Sequence, residues 1–231
     1  MKPQEGPSKV PTQWATNSPV PVGWMCQFRY FLKLYNMIKG VRGDFVECGL
    51  GEGNTFAMLA YFIGSEDNQL SRTLWGFDSF EGWPEPAASD ASPRNPQKGE
   101  WKVNEGMIRQ RFEESGIYKG FPDLDVRITK GFFNVTLPYF PARQIAFLHI
   151  DADLYPGYHD ALINLFPNVS VGGIVAFDEY KEFPNKPEYG NGQIEKWPGC
   201  TKAVDEYFEG RPEKIQYDPE TKKYFVMKVA P

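Results

Sequence analysis

Residues 45–55 read Phe45-Val46-Glu47-Cys48-Gly49-Leu50-Gly51-Glu52-Gly53-Asn54-Thr55. A short apolar run ends in three alternate glycines, and a helix-like stretch near 54–63 follows, so the pattern is strand, tight loop, helix. Glycines at 49, 51 and 53 let the backbone turn sharply and approach a ligand without side-chain obstruction. The loop opens a helix whose first turn is electropositive. Its G-x-G-x-G spacing differs from the G-x-G-x-x-G of a dinucleotide loop. Glu47 and Glu52 flank it, and their charges repel a pyrophosphate. A zwitterionic ligand carrying an ammonium and a sulfonium suits the loop better; a purely structural turn is the competing reading.

Working outward, short apolar runs alternate with amphipathic stretches. Candidate strands are 45–48, 74–77, 126–129, 145–150 and 173–177; candidate helices lie near 54–63, 101–115, 156–166 and 199–209. That alternation predicts a parallel sheet with helices on both faces. The tail differs: 214–217 and 224–229 are β-rich and separated by the turn sequence Asp218-Pro219-Glu220. The expected architecture is α/β and Rossmann-like, a mostly parallel seven-stranded sheet ending in an antiparallel hairpin. Ahead of it, Trp24, Phe28, Phe31, Leu32, Tyr35 and Ile38 recur at helical spacing before Gly40, predicting an N-terminal helix over 24–39. Residues 1–20, rich in Pro, Ser and Thr, read as a flexible arm before one domain over 21–231.

The net charge of −5 offers no basic footprint, which disfavours nucleic acid as a partner. No apolar run reaches the roughly 18–20 residues that span a bilayer, so no membrane partner is expected. The first residues lack the apolar core of a signal peptide. Cys26, Cys48 and Cys200 have no metal-type spacing and point to a reducing compartment, with the cytoplasm as default. A homo-oligomer is compatible with all of this.

Three strand ends carry acids. The second candidate strand ends Gly76-Phe77-Asp78, and an acid there can accept hydrogen bonds from both hydroxyls of a ribose; a turn-forming Asp is the alternative. The fourth ends His149-Ile150-Asp151-Ala152-Asp153 and the fifth Phe177-Asp178-Glu179. Adjacent parallel strands would crowd these four carboxylates. Two unit charges about 4 Å apart repel by about 4 kcal/mol at an effective dielectric near 20. Such a cluster calls for a cation, a shared proton or basic partners, for which Lys181 and Lys202 are near in sequence. All-oxygen ligands suit Mg²⁺ or Ca²⁺. Asp153 has a second reading, as cap of the helix that starts near Pro156. His149 shares a strand face with Asp151, and a hydrogen-bonded strand histidine is its plainer reading. Two long Pro/Gly-rich stretches, 79–100 and 179–198, follow strand ends. Their Phe80, Trp83 and Tyr180, with Trp101 and Tyr155 as weaker candidates, either stack on an acceptor or plug the loops to the core.

Five segments in register carry a resemblance: 43–49 (GDFVECG), 76–84 (GFDSFEGWP), 131–138 (GFFNVTLP), 148–155 (LHIDADLY) and 172–180 (GGIVAFDEY). The chain resembles the macrocin O-methyltransferase family, which acts on sugars of macrolides and related antibiotics. The resemblance implies a class I methyltransferase fold, S-adenosylmethionine as donor, and Mg²⁺ held by Asp151, Asp178 and Glu179. Glu179 stands where relatives usually carry Asp or Asn. By a more distant likeness to the catechol O-methyltransferases, Glu47, Gly49 and Thr55 would surround the methionine part, Asp78 the ribose, and Phe133 and Asn134 the adenine, with Gly51, Ser79 and Asp151 completing the expected donor-binding set. Asp151 is the first choice for a general base and Asp153 the second. The expected acceptor is a small molecule, a sugar or glycoside by preference. A phenol or catechol acceptor, a nicotinamide-dependent oxidoreductase and a non-catalytic nucleoside-binding relative are the rival readings.

Overall fold

The computed structural model describes residues 22–66 and 70–230; the arm expected over 1–20 lies outside the described residues. The strands are β1 (Asp44–Cys48), β2 (Thr73–Asp78), β3 (Asp125–Lys130), β4 (Ile145–Ile150), β5 (Val169–Phe177), β6 (Ile215–Asp218) and β7 (Lys223–Met227). They form one sheet in the order β3-β2-β1-β4-β5-β7-β6. β3 through β5 are parallel, and β7 lies antiparallel between β5 and β6. This is the mostly parallel sheet with a terminal hairpin that the alternation predicts. The helices are α1 (Val22–Ile38), α2 (Asn54–Ser65), α3 (Gly106–Glu114), α4 (Ile117–Gly120), α5 (Phe133–Thr136), α6 (Tyr155–Leu165) and α7 (Pro198–Phe208). Among the described residues no helix is long and apolar enough to cross a membrane.

Strand alternation sorts the core into two layers. Val46, Cys48, Leu148, Ile150, Val175 and Phe177 face α6 and α7. Phe45, Phe147, Ile174 and Ala176 face α1 and α2. Glu47 and His149 therefore fall on the α1 side, paired across β1 and β4.

Two boundaries differ from the sequence expectation. The helix expected from 101 begins at Gly106: Trp101 adopts a left-handed φ of 59°, and the Asn104 side chain accepts the Gly106 amide at 2.8 Å. β5 begins at Val169, not 173, because an irregularity between Ile145 and Phe147 lets Val169 pair with Ile145 ahead of the Gly172-Gly173 bend.

The chain runs from β1 through β2 to β3 on one side, then crosses to β4 on the other side of β1. Ligands of open α/β sheets bind at such a switch, beyond the carboxyl ends of the strands. Backbone bonds continue past the strands here. The Gly49 amide donates to Phe77 O, Asp151 to Cys48 O, Asp178 to Ile150 O and Gly131 to Asp78 O. This aligns the glycine loop and the acidic segments along one edge.

Candidate active site

Above that edge lies a cleft of about 610 Å³, within the size of ordinary ligand pockets. Its lining includes Gly49, Gly51, Asp78, Ser79, Phe133 and Asn134 from beyond β1, β2 and β3, and Asp151, Asp153, Asp178 and Glu179 from beyond β4 and β5. Gly49 is obligatory: its φ is +90°, and a Cβ there would fall on the Asp151 carbonyl oxygen. Asp78 organises the loop. Its Oδ2 accepts the Leu50 and Gly51 amides at 2.8 and 3.3 Å, and its Oδ1 accepts the Phe80 amide at 2.7 Å. The turn-forming role of this aspartate is thus realised while the residue still lines the cleft. The Ser79 hydroxyl donates to Gly82 O at 2.8 Å and accepts the Glu81 amide, shaping the next turn.

Two of the expected donor-binding residues are not on the cleft wall. Thr55 accepts from the Gln27 side chain of α1 at 3.0 Å. Glu47 is buried beneath the loop, where its Oε1 lies 2.9 Å from His149 Nδ1. Glu47 Oε2 and His149 Nε2 have no hydrogen-bond partner.

The four acids expected at the ends of β4 and β5 do converge. Asp151 and Glu179 lie within hydrogen-bonding reach of each other. Burial first, then the neighbouring carboxylates, pushes both well above the usual carboxylate range. Burial lifts Asp153 to about 6 against the hydrogen bond from Trp83. Asp178 moves the other way: burial would raise it, but Lys223 and then His149 outweigh that and hold it below its ordinary value. Burial depresses His149 to about 4, so its imidazole is neutral at pH 7. His149, Asp151 and Asp178 each present one ligand atom, all within 4.8 Å of one another. Glu179 is not in that group; its Oε2 accepts from the Tyr158 hydroxyl at 2.5 Å and from the Asp153 amide at 3.3 Å.

The cationic partner of the cluster is neither lysine near in sequence. Lys202 pairs with Glu206 on its own helix, and Lys181 sits over the Tyr180 ring. Lys223, at the start of β7, donates to Asp178 Oδ1 at 2.9 Å and to its carbonyl at 2.6 Å. Asp153 does not cap α6. Its Oδ2 accepts from the Trp83 indole at 2.9 Å, and the Tyr155 amide is taken by Asp90 Oδ1 at 2.8 Å. The two long loops are tied together, Ser92 Oγ donating to Lys196 O and Trp83 meeting Trp197 edge-on. Phe80 and Tyr180 are buried plugs, whereas Trp101 is 67% exposed at the cleft rim. Tyr155 stacks on His159. Tyr158, Lys223, Asp90 and Trp197 carry no sequence signal of their roles, since their partners lie far along the chain or on another element.

Comparison with known proteins adds three likenesses and a family match. The sequence profile of the macrocin-O-methyltransferase family matches residues 27–191. Demethyldecarbamoylnovobiocin O-methyltransferase of Streptomyces niveus is 33% identical over 172 residues, 72% of this chain and 58% of that protein. The 8-demethyl-8-(2,3-dimethoxy-alpha-L-rhamnosyl)-tetracenomycin-C 4'-O-methyltransferase of Streptomyces olivaceus is 36% identical over 146 residues, 61% of this chain and 54% of that protein. The chain thus spans little more than half the length of these relatives. The structure of the O-methyltransferase NovP superposes with a TM-score of 0.68 at 26% identity, covering 89% of this chain and 81% of that one.

Proposed function

The chain belongs to the macrocin-O-methyltransferase family, and from that premise we propose that it is an S-adenosylmethionine-dependent O-methyltransferase whose acceptor is a sugar hydroxyl of a glycosylated small molecule. One observation carries the reading: the glycine loop with Asp78, Phe133 and Asn134 shares a single cleft with Asp151, Asp153, Asp178 and Glu179. In this reading a donor seat adjoins a deprotonating edge. The sugar preference is supported by the rhamnosyl substrate in the name of the Streptomyces olivaceus relative and by Trp83, Trp101 and Trp197 among the residues lining the cleft.

The donor supplies an electrophilic methyl on its sulfonium, and displacement needs the acceptor oxygen in line with it at near-contact distance. Gly49 and Gly51 let the loop backbone close on the methionine portion. Asp78, fixed by three amides, has about one acceptor site left, on Oδ1, for a ribose hydroxyl. Phe133 and Asn134, which line the cleft, border the adenine in this reading. A sugar hydroxyl must lose its proton as it attacks. Asp151 takes that proton in this reading, lying on the cleft wall beside Gly49. Asp153, lifted to about 6 and anchored by Trp83, is the second choice.

A divalent cation fits this edge, because Asp151, Asp153, Asp178 and Glu179 meet there, Lys223 pairs with Asp178 alone, and the buried His149 Nε2 is unpartnered. Asp151 and Asp178 would hold it, with Glu179 beside them; when bound, it lowers the pKa of the acceptor hydroxyl and fixes the oxygen.

The test is a screen with labelled donor over glycoside and phenol acceptors, run with Asp151→Ala alongside. Glycoside turnover is expected, and the variant should lose turnover while still binding the donor product. Donor binding without turnover on any acceptor would favour a non-catalytic relative, and wild-type rates in Asp151→Ala would overturn the proton assignment.

A further inference from the structure

The buried pair Glu47–His149 lies under the cleft floor, outside its wall, and the proton transfer above does not use it. Both residues project from paired positions of β1 and β4 toward α1, and the Phe31 ring closes over the imidazole at 4.8 Å. His149 is fully buried. The Glu47 carboxylate faces Nδ1 at 2.9 Å. Burial pushes the Glu47 carboxyl up; in its ionised form it draws the single N–H of a neutral imidazole to Nδ1. Nε2 is then a bare lone pair. It has no partner, and Asp178 Oδ1 lies 3.9 Å from it. That is too far for a hydrogen bond, and a lone pair facing a carboxylate is repulsive unless something positive lies between them.

We propose that His149 Nε2 ligates a divalent cation together with Asp151 and Asp178, with Glu47 orienting the imidazole from behind. The inference rests on reading the cleft as a metal-assisted transferase site, and it changes that site's chemistry from all-oxygen to mixed nitrogen and oxygen. A carboxylate on the far nitrogen is the usual support of a metal-bound histidine; it fixes the tautomer and raises ligand basicity. Ligand atoms about 2.1 Å from an ion stand about 3.0 Å apart when adjacent and about 4.2 Å when opposite. The three ligand atoms here lie within 4.8 Å of one another, so only a modest closure is required. Lys223 binds Asp178 Oδ1 from the β7 side and offsets that carboxylate's charge. Glu179 is turned to Tyr158 and Asp153 and supports the ligands without completing the set. An imidazole ligand favours first-row transition ions, whereas Mg²⁺ prefers oxygen. Mn²⁺ is therefore expected to bind more tightly than Mg²⁺.

The experiment uses the full chain, stripped with chelator and titrated with Mn²⁺ and separately with Mg²⁺ by calorimetry, followed by pulsed electron paramagnetic resonance of the Mn²⁺ form. The expected result is one Mn²⁺ per chain, at least tenfold tighter than Mg²⁺, with a directly bonded nitrogen in the spectrum. Glu47→Gln keeps the shape, removes the charge that fixes the tautomer, and should weaken Mn²⁺ by about 10–100-fold. Circular dichroism of that variant separates misfolding from lost affinity, and the wild-type spectrum decides the ligand without any variant. Mn²⁺ bound with no nitrogen coupling would overturn the role of His149 and leave the metal-assisted reading standing on oxygen ligands. Absence of binding by either ion would overturn both.

Discussion

The Tyr158 hydroxyl is the point where the acidic edge is held, and Tyr158→Phe isolates it without opening a cavity. The side chain is fully buried. Its oxygen lies 2.8 Å from Ile150 O and 2.5 Å from Glu179 Oε2, and it accepts the Asp178 and Glu179 amides at 3.2 and 3.3 Å. Burial, then Cys200 and Glu179, pushes its pKa far up, so it remains a donor. Not all of these groups suffer when it goes. Ile150 O keeps the Asp178 amide, and Glu179 Oε2 keeps the Asp153 amide. The buried Glu179 amide loses its hydrogen bond to Tyr158. One such orphan costs about 1–3 kcal/mol. For a chain of this length that is about 2–4 °C per kcal/mol, or a fall in Tm of about 2–12 °C. Because the same oxygen fixes Asp178 and Glu179, turnover should drop as well, by about tenfold or more for a misplacement of a fraction of an ångström. Thermal melts and turnover at saturating donor check both. A variant with unchanged Tm and full turnover would refute the claim that this hydroxyl organises the edge.

Chelation with EDTA should suppress turnover and added Mg²⁺ or Mn²⁺ restore it; full activity after verified metal removal would take the cation out of the mechanism. Asp90→Ala frees the Tyr155 and Ala87 amides, held at 2.8 and 2.7 Å, and should cost about 1–3 kcal/mol in a denaturant melt. A Cβ on Gly199 would collide with the same carboxylate, so Gly199→Ala should be destabilising alone and much less so on the Asp90→Ala background; strict additivity would count against that contact. Burial alone would raise the Asp218 carboxyl, but hydrogen bonds from Lys33 and Thr221 outweigh it and hold it low. A depressed carboxyl favours the folded state above its unfolded pKa, and the contribution is lost as pH falls through the folded value. Asp218→Asn should thus be less stable than wild type at pH 7, by about 1 kcal/mol or less given the exposure of Lys33, with the gap closing below about pH 4; an equal gap at both pH values would sink this.

What the sequence made legible is what local pattern encodes. Apolar alternation, the three glycines and the Asp218-Pro219-Glu220 turn suffice for the sheet and its hairpin, and the acids at the ends of β4 and β5 follow from strand adjacency. The partners of those acids do not. Asp153 looks like a helix cap because it stands before a proline, yet Trp83, 70 residues earlier, takes its carboxylate, and Asp90, 65 residues from Tyr155, supplies the α6 contact. Lys181 and Lys202 stand near the acidic cluster in sequence, whereas the lysine that pairs with Asp178 is 45 residues away. Aromatic loops read as acceptor platforms and as plugs with equal force. Only packing separates Phe80 and Tyr180, which are buried, from Trp101, which is exposed.

The terminal hairpin explains why that distant lysine is available. β5 runs toward the ligand edge and ends at Phe177, so Asp178 emerges at the cleft. β7 is antiparallel to β5 with Phe177 opposite Tyr224. Its first residue, Lys223, therefore lies at the same edge as Asp178. A parallel strand in this position would begin at the opposite edge of the sheet. The hairpin is in turn held by α1: the Tyr30 hydroxyl donates to Tyr224 O at 2.9 Å, and Lys33 pairs with Asp218 at 2.6 Å. Between those two contacts on the same helix, Phe31 covers His149. One helix thus braces the strand that supplies the counter-charge and seals the histidine beneath the acids. The N-terminal helix and the C-terminal hairpin are, by these contacts, parts of the site's electrostatics, although neither contributes a residue to the cleft wall.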